Sequence, residues 1–144
     1  MISAFVAYRH SGEDPAELRP MLEAVCGALR TRGIDAYCTF FDEEEFQDKS
    51  LGPRAIMEHA FQMIDNRDFL FIVQTSSSKS EGMLMEVGYC WGTSKPIIVA
   101  VKDDVDGTYV PDMATASFSW SSPIDLRQSI ADMDIRGVLA KVGS

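Results

Sequence analysis

Two kinds of apolar patterning alternate along the chain. The runs Ile2 to Tyr8 (ISAFVAY), Ile34 to Phe41 (IDAYCTFF), Phe69 to Val73 (FLFIV) and Pro96 to Val101 (PIIVAV) are short, rich in β-formers and bounded by polar or turn residues, which is how buried strands read. FLFIV shows no alternation, so it belongs in the centre of a sheet covered on both faces. Between the runs the apolar residues recur at helical spacing. Leu18, Met21, Leu22, Val25 and Leu29 form one such stripe, opened by Asp14 and Pro15 and stopped by Gly33. Pro20 interrupts that stripe, so the regular helix is expected to begin near it. Ser50, Gly52 and Pro53 open a second helix carrying Ile56, Met57, Ala60, Phe61 and Ile64. A serine-rich turn, Ser76 to Ser80, leads into a third helix ending near Trp91. A last strand at Ser117 to Trp120 and a helix from Ile124 to Met133 close the chain.

Strands alternating with helices imply right-handed crossovers and a parallel sheet with helices on both faces. The expected fold is therefore a single α/β flavodoxin-like (Rossmann-like) domain over residues 1–144, with five parallel strands in the order 2-1-3-4-5. Ligands of such sheets gather at the carboxyl ends of the strands, where connections after neighbouring central strands diverge. That directs attention to Tyr8–Asp14 and Thr75–Glu86.

Charge narrows the partners. Thirteen Lys and Arg against 22 Asp and Glu leave a net charge of −9, which opposes sequence-independent attraction to nucleic acid or to an anionic membrane surface. Cys26, Cys38 and Cys90 have neither zinc-site nor redox-motif spacing and read as reduced core thiols. No apolar run approaches the roughly 18 residues of a membrane span, and a strand directly after Met1 leaves no room for a signal peptide. The expected location is cytoplasmic.

Glu86 is the most informative residue. Met83, Leu84, Met85, Val87, Tyr89, Cys90 and Trp91 make its helix apolar nearly all round, so its carboxylate cannot easily avoid the interior. Either a partner charge or helix end holds it, or it points into the cleft as a nucleophile or as the stabiliser of a cationic transition state. Ser76, Ser77, Ser78 and Ser80, with Lys79, precede the same helix and read either as a solvated polar loop or as a seat for phosphate. Glu81 at the helix start would compete for the same donors unless it points away. Tyr8, Arg9 and His10 would face the cleft, Arg9 toward phosphate and Tyr8 toward a base or carboxylate. His59 reads as structural. The acidic run Asp42 to Glu45, with Asp48, lacks EF-hand spacing and reads as solvated, so no metal and no cofactor is expected. G-x-G-x-x-G, Walker A, G-x-S-x-G and H-E-x-x-H are absent.

The stretch NRDFLFIVQTSSSKSEGMLMEVGYCWGTSKPIIVAV resembles the core of the nucleoside 2-deoxyribosyltransferases and their relatives, the 2'-deoxynucleoside 5'-phosphate N-hydrolases. Asp68, Gly82, Glu86, Gly88, Tyr89, Lys95 and Pro96 fall on that family's pattern without a gap, with Cys90 in place of an Ala. The resemblance implies cleavage or transfer at the N-glycosidic bond of a nucleoside or nucleoside 5'-monophosphate. It makes Glu86 the nucleophile that forms a glycosyl-enzyme ester, and Ser80 a phosphate contact. Asp68, Ser78 and Gly82, together with Tyr8 and Arg9 from their place after the first strand, complete the expected substrate-binding set, and a homo-oligomer sharing its sites is compatible with the family. Two positions depart from the pattern. The usual glycine after the first strand is replaced by Tyr8-Arg9-His10, and a family Asp expected near Ala60 is missing, so that Glu58 or His59 would replace it only by a local shift.

The start AFVAYRHSGED is similar instead to the opening of Toll/interleukin receptor (TIR) domains. Enzymatic TIR domains share this topology and use a helix Glu to cleave NAD, a place Glu86 also fits, although the Trp that commonly precedes that Glu is lacking. The alternatives are thus a TIR-like NAD hydrolase or nucleotide-signal synthase, and a non-catalytic TIR-like interaction module.

Overall fold

The computed structural model describes residues 1–9, 12–42 and 50–141, with Asp42 described in its backbone only. The strands are β1 (Ser3–Tyr8), β2 (Asp35–Cys38), β3 (Phe69–Gln74), β4 (Ile97–Lys102) and β5 (Ala116–Trp120). Helix α1 (Pro15–Thr31) follows β1, α2 (Pro53–Asp65) precedes β3, and α3 (Glu81–Gly92) links β3 to β4. Helices α4 (Pro123–Asp132) and α5 (Ile135–Ala140) come last. All strands are parallel, in the order β2-β1-β3-β4-β5.

Alternate residues of each strand divide the core in two, because successive side chains point to opposite faces. Ala4, Val6 and Tyr8 of β1, with Phe69, Phe71 and Val73 of β3, pack under α1, α4 and α5. Phe5 and Ala7, with Leu70 and Ile72, pack under α2 and α3. Every residue of β3 is buried, which is why its run carries no alternation.

Three local expectations change. Helix α1 runs unbroken from Pro15 through Pro20. Pro20 forfeits only the bond that its N–H would have made to Ala16, close enough to the helix start to be tolerated. The second strand stops at Cys38, and Thr39–Asp42 turn as a 3-10 helix. Phe40 thereby swings inward and meets Tyr8 edge-on, ring centroids 5.7 Å apart. The short helix α5, capped by Asp134 on the Gly137 amide at 3.1 Å, occupies a segment that the apolar pattern left unassigned.

Basic side chains from elsewhere close two helix ends. Lys95 Nζ donates to the carbonyls of Ile64, at 2.9 Å, and of Arg67 at the carboxyl end of α2. Arg32 does the same for α4 through Ile130 and Met133. Helix carboxyl ends carry unsatisfied carbonyls and partial negative charge. Lys95→Met, which keeps the stem and removes the donor, is therefore expected to destabilise the fold by about 1–3 kcal/mol. A urea midpoint equal to that of the unaltered protein would refute the assignment.

Candidate active site

At the carboxyl ends of β1, β3 and β4 lies a cavity of about 270 Å³, near the lower end of the roughly 300–1,000 Å³ usual for small-molecule sites. Its walls are Arg9 after β1, Gln74 to Ser80 after β3, Met83 and Leu84 of α3, and residues 107–110 after β4. The wall after β4 carries no motif and is a part of the site that the sequence pattern did not single out. Ser77 Oγ ties it to the serine loop by accepting from the Asp106 amide at 3.2 Å.

The serine loop is built by its own side chains. Ser76 Oγ accepts from the Ser78 amide at 3.0 Å. Ser80 caps α3, its Oγ accepting from the Met83 amide at 3.3 Å, and a hydroxyl so used still has its own proton to donate. The first-turn amides of Glu81 and Gly82 have no carbonyl a turn earlier to bond. Lys79 lines the same cavity, whereas Glu81, exposed, does not. Hydroxyl donors, free amides, a helix amino end and an ammonium together form a setting for an anion.

Arg9 is the residue after β1 that reaches the cavity. Its Nη1 donates to Glu13 Oε1 at 3.2 Å, and Thr75 Oγ1 donates to the same oxygen at 3.2 Å. Gly12, at φ +79°, passes so close that a Cβ there would stand 3.2 Å from both Arg9 terminal nitrogens. Arg9 Nε is buried and has no hydrogen-bond partner among the described residues. Gln74 ends β3 on the α3 side of the sheet. Its Nε2 donates to Thr108 Oγ1 at 3.1 Å, while its Oε1 is buried and unpartnered.

Glu86 sits one turn beyond the cavity-lining Met83. Gly82 and Tyr89 on one side of it face α2, where Tyr89 stacks on Phe61 at 4.5 Å. Met83 and Cys90 on the other side enter the core. The carboxyl group thus occupies the seam between α2, α3 and the sheet; it is 9 % exposed and does not itself line the cavity. Among the described residues no hydrogen bond or ion pair reaches it. Burial raises its pKa to about 8, because a low-dielectric surrounding disfavours the charged form. Cys90, one turn on, is pushed up to about 12, by burial first and by the Glu86 charge second. Its thiol is therefore inert near neutrality.

The other residues singled out by sequence have different places. Tyr8 points to the α1 side of the sheet, against Phe40, and does not line the cavity. As the last residue of β1, Tyr8 shares the face of Ala4 and Val6, whereas Arg9 follows the strand and lines the cavity. Asp68 also lies away from the site, at the amino end of β3, where its Oδ2 accepts from the Ser3 amide at 2.8 Å and pins β1 to β3. Tyr89 donates to Asp65 at 2.6 Å, a bond that raises its pKa. Glu58 pairs outward with Arg54 at 2.9 Å, and His59 Nε2 lies 2.9 Å from the Tyr37 hydroxyl. Neither lines the cavity. Ser78 and Ser80 line the cavity, and Gly82 lies just behind it in the first turn of α3. His10, Glu43 to Glu45 and Asp48 lie outside the described residues. Among the described residues no cluster of potential ligands would hold a metal ion, and no helix is long and apolar enough to cross a membrane.

Solved structures share this fold. A 2-deoxyribosyltransferase from Bacillus psychrosaccharolyticus superposes with a TM-score of 0.70 at 14 % identity, over 94 % of this chain and 95 % of that one. The CMP N-glycosidase of Clostridium botulinum gives 0.65 at 12 % identity, over 89 % and 96 %. A conserved protein of Enterococcus faecalis gives 0.64 at 16 %, over 90 % and 98 %. At such identities the likeness establishes the fold. No curated protein sequence matches the chain. The sequence profile of one family, nucleoside 2-deoxyribosyltransferase, matches residues 12–118, well over half of the length, and the chain therefore belongs to the nucleoside 2-deoxyribosyltransferase family.

Proposed function

We propose that this protein cleaves, or transfers the sugar across, the N-glycosidic bond of a nucleoside 5'-monophosphate, with Glu86 as nucleophile. The observation that carries the reading is a buried carboxyl group with no ion-pair or hydrogen-bond partner among the described residues, on the helix whose first turn lines the cavity. A structural glutamate would have acquired a cation or amides to offset its desolvation.

In the proposed reaction ionised Glu86 attacks the anomeric carbon. The C–N bond breaks with its electron pair going to the base, which takes up a proton from solvent; the water or acceptor-base N–H that later opens the ester gives one back. The resulting ester is opened by water or by the nitrogen of an acceptor base, which returns the carboxylate. An oxocarbenium-like transition state carries positive charge, so a carboxylate in a low-dielectric seam stabilises it more strongly than it stabilises the neutral ground state. Ser80, Ser78, Lys79 and the free amides of Glu81 and Gly82 hold the 5'-phosphate, and Arg9 adds positive charge on the facing wall. The phosphate anchors the sugar while its far side meets Glu86.

The test is incubation with a panel of nucleosides, nucleoside 5'-monophosphates and NAD, followed by chromatography of released base. The CMP specificity named for the Clostridium botulinum neighbour places cytidine monophosphate in that panel. Base released from a monophosphate in preference to its nucleoside is expected. Nicotinamide from NAD alone would move the assignment to the NAD hydrolases, and no release from any member would end it.

A further inference from the structure

Two residues that line the cavity each carry one buried, unsatisfied polar atom among the described residues, Arg9 Nε and Gln74 Oε1. Gln74 is only 6 % exposed. A buried carboxamide oxygen without a donor is rare in a folded protein and marks a place where something else completes the bond. The other end of the same amide is occupied, since Nε2 is held by Thr108 Oγ1 at 3.1 Å. The end left open is thus an acceptor, and Arg9 Nε is an unpartnered donor on another residue of the same lining. Away from the serine loop the same cavity is lined by apolar or aromatic groups, Met83, Leu84, Val110 and Tyr109, the last 84 % exposed.

We propose that Gln74 and the turn 107–110 form a base-reading subsite, in which Gln74 Oε1 accepts a hydrogen bond from an N–H on the edge of a nucleobase whose faces lie against Leu84, Val110 and Tyr109. The inference rests on the N-glycosidase reading for its substrate and adds the residue that selects the base. Apolar walls with polar groups confined to one edge suit a heteroaromatic ring, whose edge sets a donor beside an acceptor. A phosphate would set its oxygens against the lone pairs of Oε1. A sugar would bring hydroxyls against the apolar walls.

The test is calorimetric binding to the Glu86→Gln protein, which separates recognition from turnover. The probes are the four common ribonucleoside 5'-monophosphates and ribose 5-phosphate. Gln74→Met in that background is expected to weaken the best-bound nucleotide about 10- to 100-fold, as loss of a base-edge hydrogen bond does. Ribose 5-phosphate should bind as before, which also shows that the variant has folded. Tyr109→Ala, far from the core, is expected to weaken the same nucleotide about 5- to 10-fold, with ribose 5-phosphate again unchanged. Equal losses for nucleotide and ribose 5-phosphate, unchanged nucleotide binding in both variants, or no nucleotide binding at all would overturn the subsite. Gln74-dependent binding without base release by the unaltered protein would leave the subsite standing and remove the N-glycosidase reading.

Discussion

Glu86→Gln is expected to abolish base release, lowering kcat by about 10⁴-fold while leaving nucleotide binding nearly intact. The amide keeps the volume of the carboxyl group and removes the electron pair that forms the ester. Because the loss falls on the bond-forming step, KM should move far less than kcat. Retention of more than a tenth of the activity would show that the carboxylate is not the nucleophile. The pH profile of the unaltered enzyme supplies a second reading of the same group. The nucleophile must be ionised and its pKa in the free protein is about 8. The value of kcat/KM is therefore expected to rise about tenfold per pH unit below 8 and to level off above it.

The second large effect is on stability, and its sign follows from proton counting. Unfolded, the Glu86 side chain loses its proton near 4.5; folded, burial holds the proton until about pH 8. Between those values the native state binds one proton more than the unfolded chain, so stability falls as pH rises through the window. The loss is about 1.4 kcal/mol per pH unit and about 5 kcal/mol in all, a large share of the roughly 5–15 kcal/mol that holds a domain together. Glu86→Gln has no proton to lose. Urea unfolding at pH 5, 7 and 9 should show the variant's advantage growing with pH, by several kcal/mol between the ends. Parallel pH dependence in the two proteins would contradict a desolvated carboxyl group.

The two effects have one physical source. The seam that makes the carboxylate costly in the resting protein is the low-dielectric surrounding in which it would stabilise a developing cation. Filling the site with a ligand that bears or develops positive charge should lower the pKa of Glu86 relative to the empty protein.

Residues that share a motif in the sequence separate into distinct roles in space. Lys95 caps α2, Asp68 ties β1 to β3, and Tyr89 braces α3 against Asp65. Their fixed spacing around Glu86 reflects the geometry of the strand, turn and helix that carries the carboxyl group. Most of the motif therefore positions the site from outside it. Gln74, by contrast, stands outside any motif; its one visible signal is that it is the first polar residue after an unbroken apolar run.

The chain alone determined the alternation of strand and helix, the two-sided burial of FLFIV, the order of the sheet, and the presence of an acid in an apolar helix. Each follows from local periodicity, which records how deeply a residue is buried. Only the folded structure decided what each residue meets. Phe40 met Tyr8 on the α1 side of the sheet, a sequence-distant turn supplied Thr108 and Tyr109 to the cavity, and burial raised the Glu86 pKa. Those are contacts between segments far apart in the chain, and periodicity carries no information about partners of that kind.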